Sequence, residues 1–130
     1  MRVLFVEDNE INRRVVGEML RAGGFDMSEA ADGASGLQMI DANEYDLVLM
    51  DLRLPGMDGM TAIRHIRARD DDKAQVPVIV VTADGGSTID ADCRAAGADD
   101  VILKPVSMTN LYDTIGALLA RRGRDGVLVA

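Results

Sequence analysis

The sequence predicts an α/β domain, a parallel sheet covered by helices on both faces. Two observations carry that reading. Short apolar runs alternate with amphipathic stretches five times along the 130 residues, which is the pattern of repeated strand–helix units. The strongest runs also lack any apolar–polar alternation, as expected of strands buried on both faces. Leu47-Val48-Leu49-Met50 is such a run, and it stops abruptly at a carboxylate, Asp51.

The elements follow in order. Val3-Leu4-Phe5-Val6 is expected as the first strand, closed by Glu7-Asp8-Asn9. A helix then places Ile11, Val15, Met19 and Leu20 on one face and ends at Gly23-Gly24. Phe25 to Ala30 reads as a weaker, more polar strand nearer an edge. Asp32-Gly33 turns into a second helix with Leu37, Met39 and Ile40 inward, running out near Asn43. After the central strand, Pro55, Gly56 and Gly59 force a turn. Asp58 is placed to cap a third helix carrying Met60, Ile63 and Ile66. Asp70-Asp71-Asp72-Lys73 reads as a solvated loop.

Pro77 opens a fourth, β-branched strand, Val78-Ile79-Val80-Val81, which ends at Thr82. The loop Ala83-Asp84-Gly85-Gly86-Ser87 is short and glycine-rich, hence mobile. A fourth helix with Ile89, Cys93 and Ala96 inward stops at Gly97. The fifth strand, Val101-Ile102-Leu103, ends at Lys104-Pro105. Ser107 can cap a last helix with Leu111, Ile115, Leu118 and Leu119 on one stripe. Arg121 and Arg122 suit the C-terminal end of that helix electrostatically. One domain is expected over residues 1–121. Residues 122–130 form a short tail whose Val127-Leu128-Val129 reads as the stub of something further.

Composition narrows the function. The net charge of −8 argues against direct nucleic-acid binding, and 3% aromatic residues leave no stacking platform for bases. No apolar run approaches a membrane span, and the N-terminus has no signal-peptide pattern. The single cysteine, Cys93, forbids an internal disulfide and suits a reducing cytoplasm. It sits on an inner helix face and is expected to pack, and His65 is expected on the surface. No G-x-x-x-x-G-K-[ST] or G-x-G-x-x-G motif is present, which counts against a nucleotide enzyme.

In a parallel sheet the C-terminal strand ends share one edge. That edge would gather Glu7 and Asp8, Asp51, Thr82 and Lys104. Three carboxylates repel one another, and such clusters commonly hold a cation. Hard oxygen ligands favour Mg²⁺ over Zn²⁺, with Mn²⁺ as a substitute. With Mg²⁺ and Lys104 the site is near neutral and can accept a phosphoryl group. Asp51 would be the nucleophile, and Thr82 and Lys104 would contact the phosphoryl oxygens. Arg53 and Asp84, two residues beyond Asp51 and Thr82, stand where they could tune water access.

These positions together resemble the receiver domain of bacterial two-component response regulators, the CheY-like family. The likeness covers roughly residues 2–121 and includes the Pro55, Gly56, Met57, Asp58, Gly59 context after Asp51. It implies a flavodoxin-like, doubly wound sheet in the order 2-1-3-4-5. It implies that Asp51 is the phosphoacceptor and that Mg²⁺ is bound by Asp8, Asp51 and the backbone carbonyl of Arg53, with Glu7 acting through water. Thr82 and Lys104 would contact the phosphoryl group, and Lys104-Pro105 would be cis. The domain would catalyse its own phosphorylation and dephosphorylation without being a conventional enzyme.

The partners implied are a sensor histidine kinase or phosphotransfer protein and a downstream protein target, with the chain a monomer or weak dimer. A stand-alone regulator without an output domain is the first expectation. A receiver excised from a hybrid sensor kinase is the alternative, and Val6-Glu7-Asp8-Asn9-Glu10-Ile11-Asn12 looks like such receivers. One departure stands out. Val101 occupies the position, three before the lysine, where the family usually carries Tyr or Phe. That puts the usual ring rotation in doubt and is the one support for a degenerate receiver acting only as a binding module.

Overall fold

The computed structural model describes residues 1–124. Five strands, β1 (Arg2–Val6), β2 (Asp26–Ala30), β3 (Leu47–Asp51), β4 (Val78–Thr82) and β5 (Asp100–Leu103), pair in parallel in the order β2-β1-β3-β4-β5. Helices α1 (Glu10–Ala22), α2 (Gly33–Ala42), α3 (Gly59–Arg67), α4 (Ser87–Ala96) and α5 (Met108–Arg124) cross over between or after them. The doubly wound flavodoxin-like sheet expected from the resemblance is the architecture found.

Strand parity divides the core in two. Leu4, Val6, Val48, Met50, Val78 and Val80 face α2, α3 and α4, meeting Ile40, Ile63, Ile66 and Cys93. Val3, Phe5, Leu47, Leu49, Ile79 and Val81 face α1 and α5, meeting Val16, Leu20, Leu111, Ile115 and Leu118. Every residue of β3 and β4 is buried, which is why these runs show no polar alternation. β2 takes the edge, and only Ala30 of its residues is buried, in keeping with its polar sequence.

Caps set the helix starts. Asn9, Asp32 and Asp58 accept hydrogen bonds from the backbone N–H groups of Asn12, Ser35 and Thr61. Ser107 Oγ accepts from Asn110 N–H at 3.1 Å at the head of α5. α4 differs, because Gly86 precedes it at φ 119° and no side chain caps it.

The structure departs from the sequence reading in one place and extends it in two. In α1 the inward stripe is Val16, Gly17 and Leu20, with Met19 half-buried, while Ile11 and Val15 are 70% and 45% exposed. Gly17 lies on that inward face, where a Cβ would strike the Met27 side chain of β2. The solvated loop expected over Asp70-Asp71-Asp72-Lys73 is exposed at its three aspartates and leads into a 3₁₀ turn, Asp72–Gln75, with Ala74 buried. Arg67 organises that turn by donating to the carbonyls of Ala74, Val76 and Gly97 and to the Asp99 carboxylate. α5 continues to Arg124, beyond residue 121. The expected stub at Val127-Leu128-Val129 lies outside the described residues.

Candidate functional site

The sheet register assembles the site. Val6 lies beside Met50, Asp51 beside Val81, and Thr82 beside Leu103. The next residues along β1 and β5, Glu7 and Lys104, therefore flank Asp51 and Thr82 at one edge. Lys104 N–H donates to the Thr82 carbonyl at 2.8 Å, and Glu7 N–H to the Ala30 carbonyl at 3.0 Å, so both are fixed by the ladder before their side chains act. The Lys104-Pro105 bond is cis.

Asp51 is 4% exposed. Its Oδ2 accepts from Lys104 Nζ at 3.0 Å and its Oδ1 from Arg53 N–H at 3.2 Å. Lys104 Nζ also donates to Glu7 Oε1 at 2.8 Å, so one ammonium spans two buried carboxylates. Burial alone would pull the Lys104 pKa down. The hydrogen bonds and charges of Glu7 and Asp51 outweigh burial and hold it above the ordinary lysine value.

Gly59 lets α3 begin against this strand end. A Cβ there would strike the Asp51 carbonyl and the Leu52 backbone, while Gly59 N–H donates to the Leu52 carbonyl at 2.9 Å.

Glu7 and Asp8 are not equivalent. Glu7 is 1% exposed, and it accepts also from the Asn12 side-chain amide and from Asn9 N–H, both at 3.3 Å. Its carbonyl accepts from the Arg13 guanidinium at 2.7 Å. Asp8 is exposed. Asn12 entered the sequence reading only as part of the stretch Val6 to Asn12, and Arg13 not at all. Their spacing from Glu7 is one helical turn past a strand end, which only the fold makes meaningful.

One oxygen from each of Glu7, Asp8 and Asp51 lies within 4.8 Å of the others. The donor set is all hard oxygen and carries −3 against the single positive charge of Lys104. That chemistry fits a divalent, oxygen-seeking ion such as Mg²⁺.

Thr82 is 1% exposed, and its Oγ accepts from Asp84 N–H at 3.0 Å, leaving the hydroxyl proton to donate elsewhere. Asp84 in turn holds the Arg53 guanidinium by three contacts of 2.7 to 3.0 Å. The sequence singled out both residues but gave no sign that they pair. His65 is exposed, and Cys93 is buried with its thiol pKa pushed up by burial. Val101 is half-buried.

A buried carboxylate, a lysine that bridges it to a second, a cluster of three acids and a hydroxyl thus meet at one edge of a doubly wound sheet. The chain belongs to the response regulator receiver domain family, whose model matches residues 3–116.

It is 39% identical over 124 residues to the transcriptional regulatory protein CseB of Streptomyces coelicolor, covering 95% of this chain and 51% of that protein. It is 39% identical to the sensory transduction protein RegX3 of Mycobacterium tuberculosis, covering 95% of this chain and 52% of that protein. The chain thus spans about half the length of these curated relatives.

Among solved structures it resembles the receiver domain of the sensor histidine kinase PA1611 from Pseudomonas aeruginosa, described with a magnesium ion coordinated in the active site cleft. The TM-score is 0.84 and the identity 34%, covering 92% of this chain and 97% of that one. A putative response regulator from Chloroflexus aurantiacus gives a TM-score of 0.86 at 29% identity, with the same coverage.

Proposed function

We propose that this domain accepts a phosphoryl group on Asp51 from a phosphohistidine of a sensor kinase or phosphotransfer protein, and that the modification changes its protein-binding surface. The observation that carries the reading is Lys104 Nζ held at 2.8 and 3.0 Å from Glu7 and Asp51 beside the acid cluster. An Asp51 oxygen attacks phosphorus, the P–N bond breaks, and the histidine nitrogen leaves with the bonding pair. The product is an aspartyl phosphate.

Lys104 follows the charge from carboxylate to phosphoryl oxygen. Thr82 donates its hydroxyl proton to a second oxygen. Glu7 keeps Lys104 charged and aimed, and Asn12 and Asn9 hold Glu7. Mg²⁺, when bound by Asp8, Asp51 and the Arg53 carbonyl with Glu7 acting through water, would neutralise the carboxylates and stabilise charge on the transferring group. Mn²⁺ would serve in the same way. Hydrolysis of the acyl phosphate resets the site.

Among the described residues no helix is long and apolar enough to cross a membrane. The free, buried Cys93 suits the cytoplasm, where we place the domain as a monomer or weak dimer. The charge of −8 speaks against nucleic acid as a direct partner of this domain. The expectation of a stand-alone regulator finds no support in the comparisons, since CseB and RegX3 are about twice as long as the chain. The degenerate reading is disfavoured because Asp51, Lys104 and Thr82 all stand at the site.

Phosphoramidate, a small P–N donor, tests the transfer. Phosphorus NMR should show a Mg²⁺-dependent acyl-phosphate signal in the native chain and none in Asp51→Asn. An acyl-phosphate signal of equal size in Asp51→Asn would move the acceptor elsewhere.

A further inference from the structure

Two side chains beside the site pair with one another, and the backbone of each belongs to the site itself. Arg53 and Asp84 form a forked ion pair: Arg53 Nε and Nη2 reach Asp84 Oδ2 at 3.0 and 2.9 Å, and Nη2 reaches Oδ1 at 2.7 Å. The backbone N–H of Arg53 holds Asp51 Oδ1 at 3.2 Å. The backbone N–H of Asp84 holds the Thr82 hydroxyl oxygen at 3.0 Å. The fork therefore bridges the loop after β3, which carries the metal-facing half of the site, and the loop after β4, which carries the hydroxyl half.

The bridge has few rivals. Beyond Asp84, Gly85 and Gly86 add no side chain, Gly86 stands at φ 119°, and α4 begins without a side-chain cap. The β4–α4 loop thus has little of its own to fix it, and Asp84 is its one ion-pairing residue. A bidentate guanidinium–carboxylate pair fixes orientation as well as distance. The Arg53 and Asp84 side chains are 77% and 35% exposed, so the pair lies at the surface, outside both halves of the core.

We infer that the Arg53–Asp84 pair couples the two halves of the site, so that a divalent ion bound at the acid cluster is felt at the Thr82 hydroxyl and at the start of α4. The inference rests on the proposed function for the metal-binding half. With a cation held by Asp51 and the Arg53 carbonyl, the backbone of residues 51–53 would shift. The fork passes that shift to Asp84, and the Asp84 N–H passes it to Thr82. Asp84 and the Arg53 side chain are positioning residues here and touch no reacting atom.

The test is a titration with MgCl₂ alone, followed by amide NMR in the native chain, in Asp84→Asn, in Arg53→Gln and in the charge-swapped double variant Arg53→Asp with Asp84→Arg. In the native chain the amides of Asp8 and Asp51 should respond together with those of Thr82, Gly85, Gly86 and Ile89. In both single variants the response at the second group should fall by at least about half, and in Asp84→Asn, which alters no proposed metal ligand, the response at Asp8 and Asp51 should persist. The swapped pair should restore it, which a merely structural role for either residue would not. A full response at Thr82 and Gly85 in both single variants would overturn the inference. So would a native response confined to the acid cluster, with the phosphoreceiver reading left standing. No response at Asp8 and Asp51 in the native chain would overturn that reading and the coupling with it.

Discussion

At the scale of single residues, Lys104 is the pivot, because two buried carboxylates depend on one ammonium. Lys104→Met keeps the stem and removes the charge, leaving Glu7 with only its Asn12 and Asn9 contacts. We expect a loss of roughly 1–3 kcal/mol in urea unfolding, the range for orphaning a buried polar partner. The pH dependence has a definite sign. The folded pKa of Lys104 is raised, so its pairing contributes stability that is fully present below the unfolded lysine value and is lost as the pH rises through the folded one. Melting followed into the alkaline range should show that loss in the native chain and not in Lys104→Met.

Asp51 behaves oppositely. Three acids lie within 4.8 Å of one another, and Asp51→Asn relieves their repulsion while Lys104 keeps Glu7. In metal-free buffer Asp51→Asn should melt no lower than the native chain. A melting temperature several degrees lower would mean that the Lys104 and Arg53 contacts of Asp51 outweigh the repulsion. With Mg²⁺ at a hundred times its Kd the native chain should gain about 2.7 kcal/mol and the variant far less.

At the scale of elements, the site depends on where α3 and α4 begin. Asp58 caps α3, and the hydrogen bond from Thr61 N–H holds its pKa below the ordinary aspartate value. Its contribution is therefore present above the unfolded value and lost as the pH falls through the folded one. Asp58→Ala should cost about 1 kcal/mol at neutral pH, read from urea unfolding. Loss of the cap at α3 would also loosen the turn that follows Asp51.

The start of α4 is the weak end. Val101 has a stiff χ1 and no long lever, so it cannot relay a signal by ring rotation. On the proposed function, the loop 83–87 and the uncapped start of α4 would carry the population shift. A beryllofluoride complex should perturb the amides from Thr82 to Ile89 most strongly outside the pocket. Gly86→Ala, strained at φ 119°, should weaken that response while phosphorylation at Asp51 persists. A shift map centred on Val101 and α5, with 83–87 silent, would contradict this route.

At the scale of the whole molecule, strand order is what makes a site from distant residues. Glu7 and Lys104 lie 97 positions apart and meet at 2.8 Å because β1 and β5 flank β3 and β4 in one parallel sheet. This much was legible from sequence, since each buried run ends at a polar residue and parallel ends share an edge.

What was not legible depended on rotation and on tertiary partners. The period of α1 is visible, but a glycine carries no hydropathy signal, so the inward face with Gly17 against Met27 was missed and Ile11 and Val15 were misplaced. Adjacent acids look alike in a sequence, yet Glu7 continues the buried run of β1 while Asp8 is exposed. The support of Glu7 by Asn12 and Arg13, and the Arg53–Asp84 fork, exist only once loops from different strands converge.

The central claim is a Mg²⁺-dependent phosphoryl acceptor at Asp51, and intact mass after incubation with acetyl phosphate tests it most directly. The native chain should gain one phosphoryl group with Mg²⁺ and none with EDTA, and Asp51→Asn should gain none under either condition. An adduct that forms equally well in EDTA, or that persists in Asp51→Asn, would contradict it.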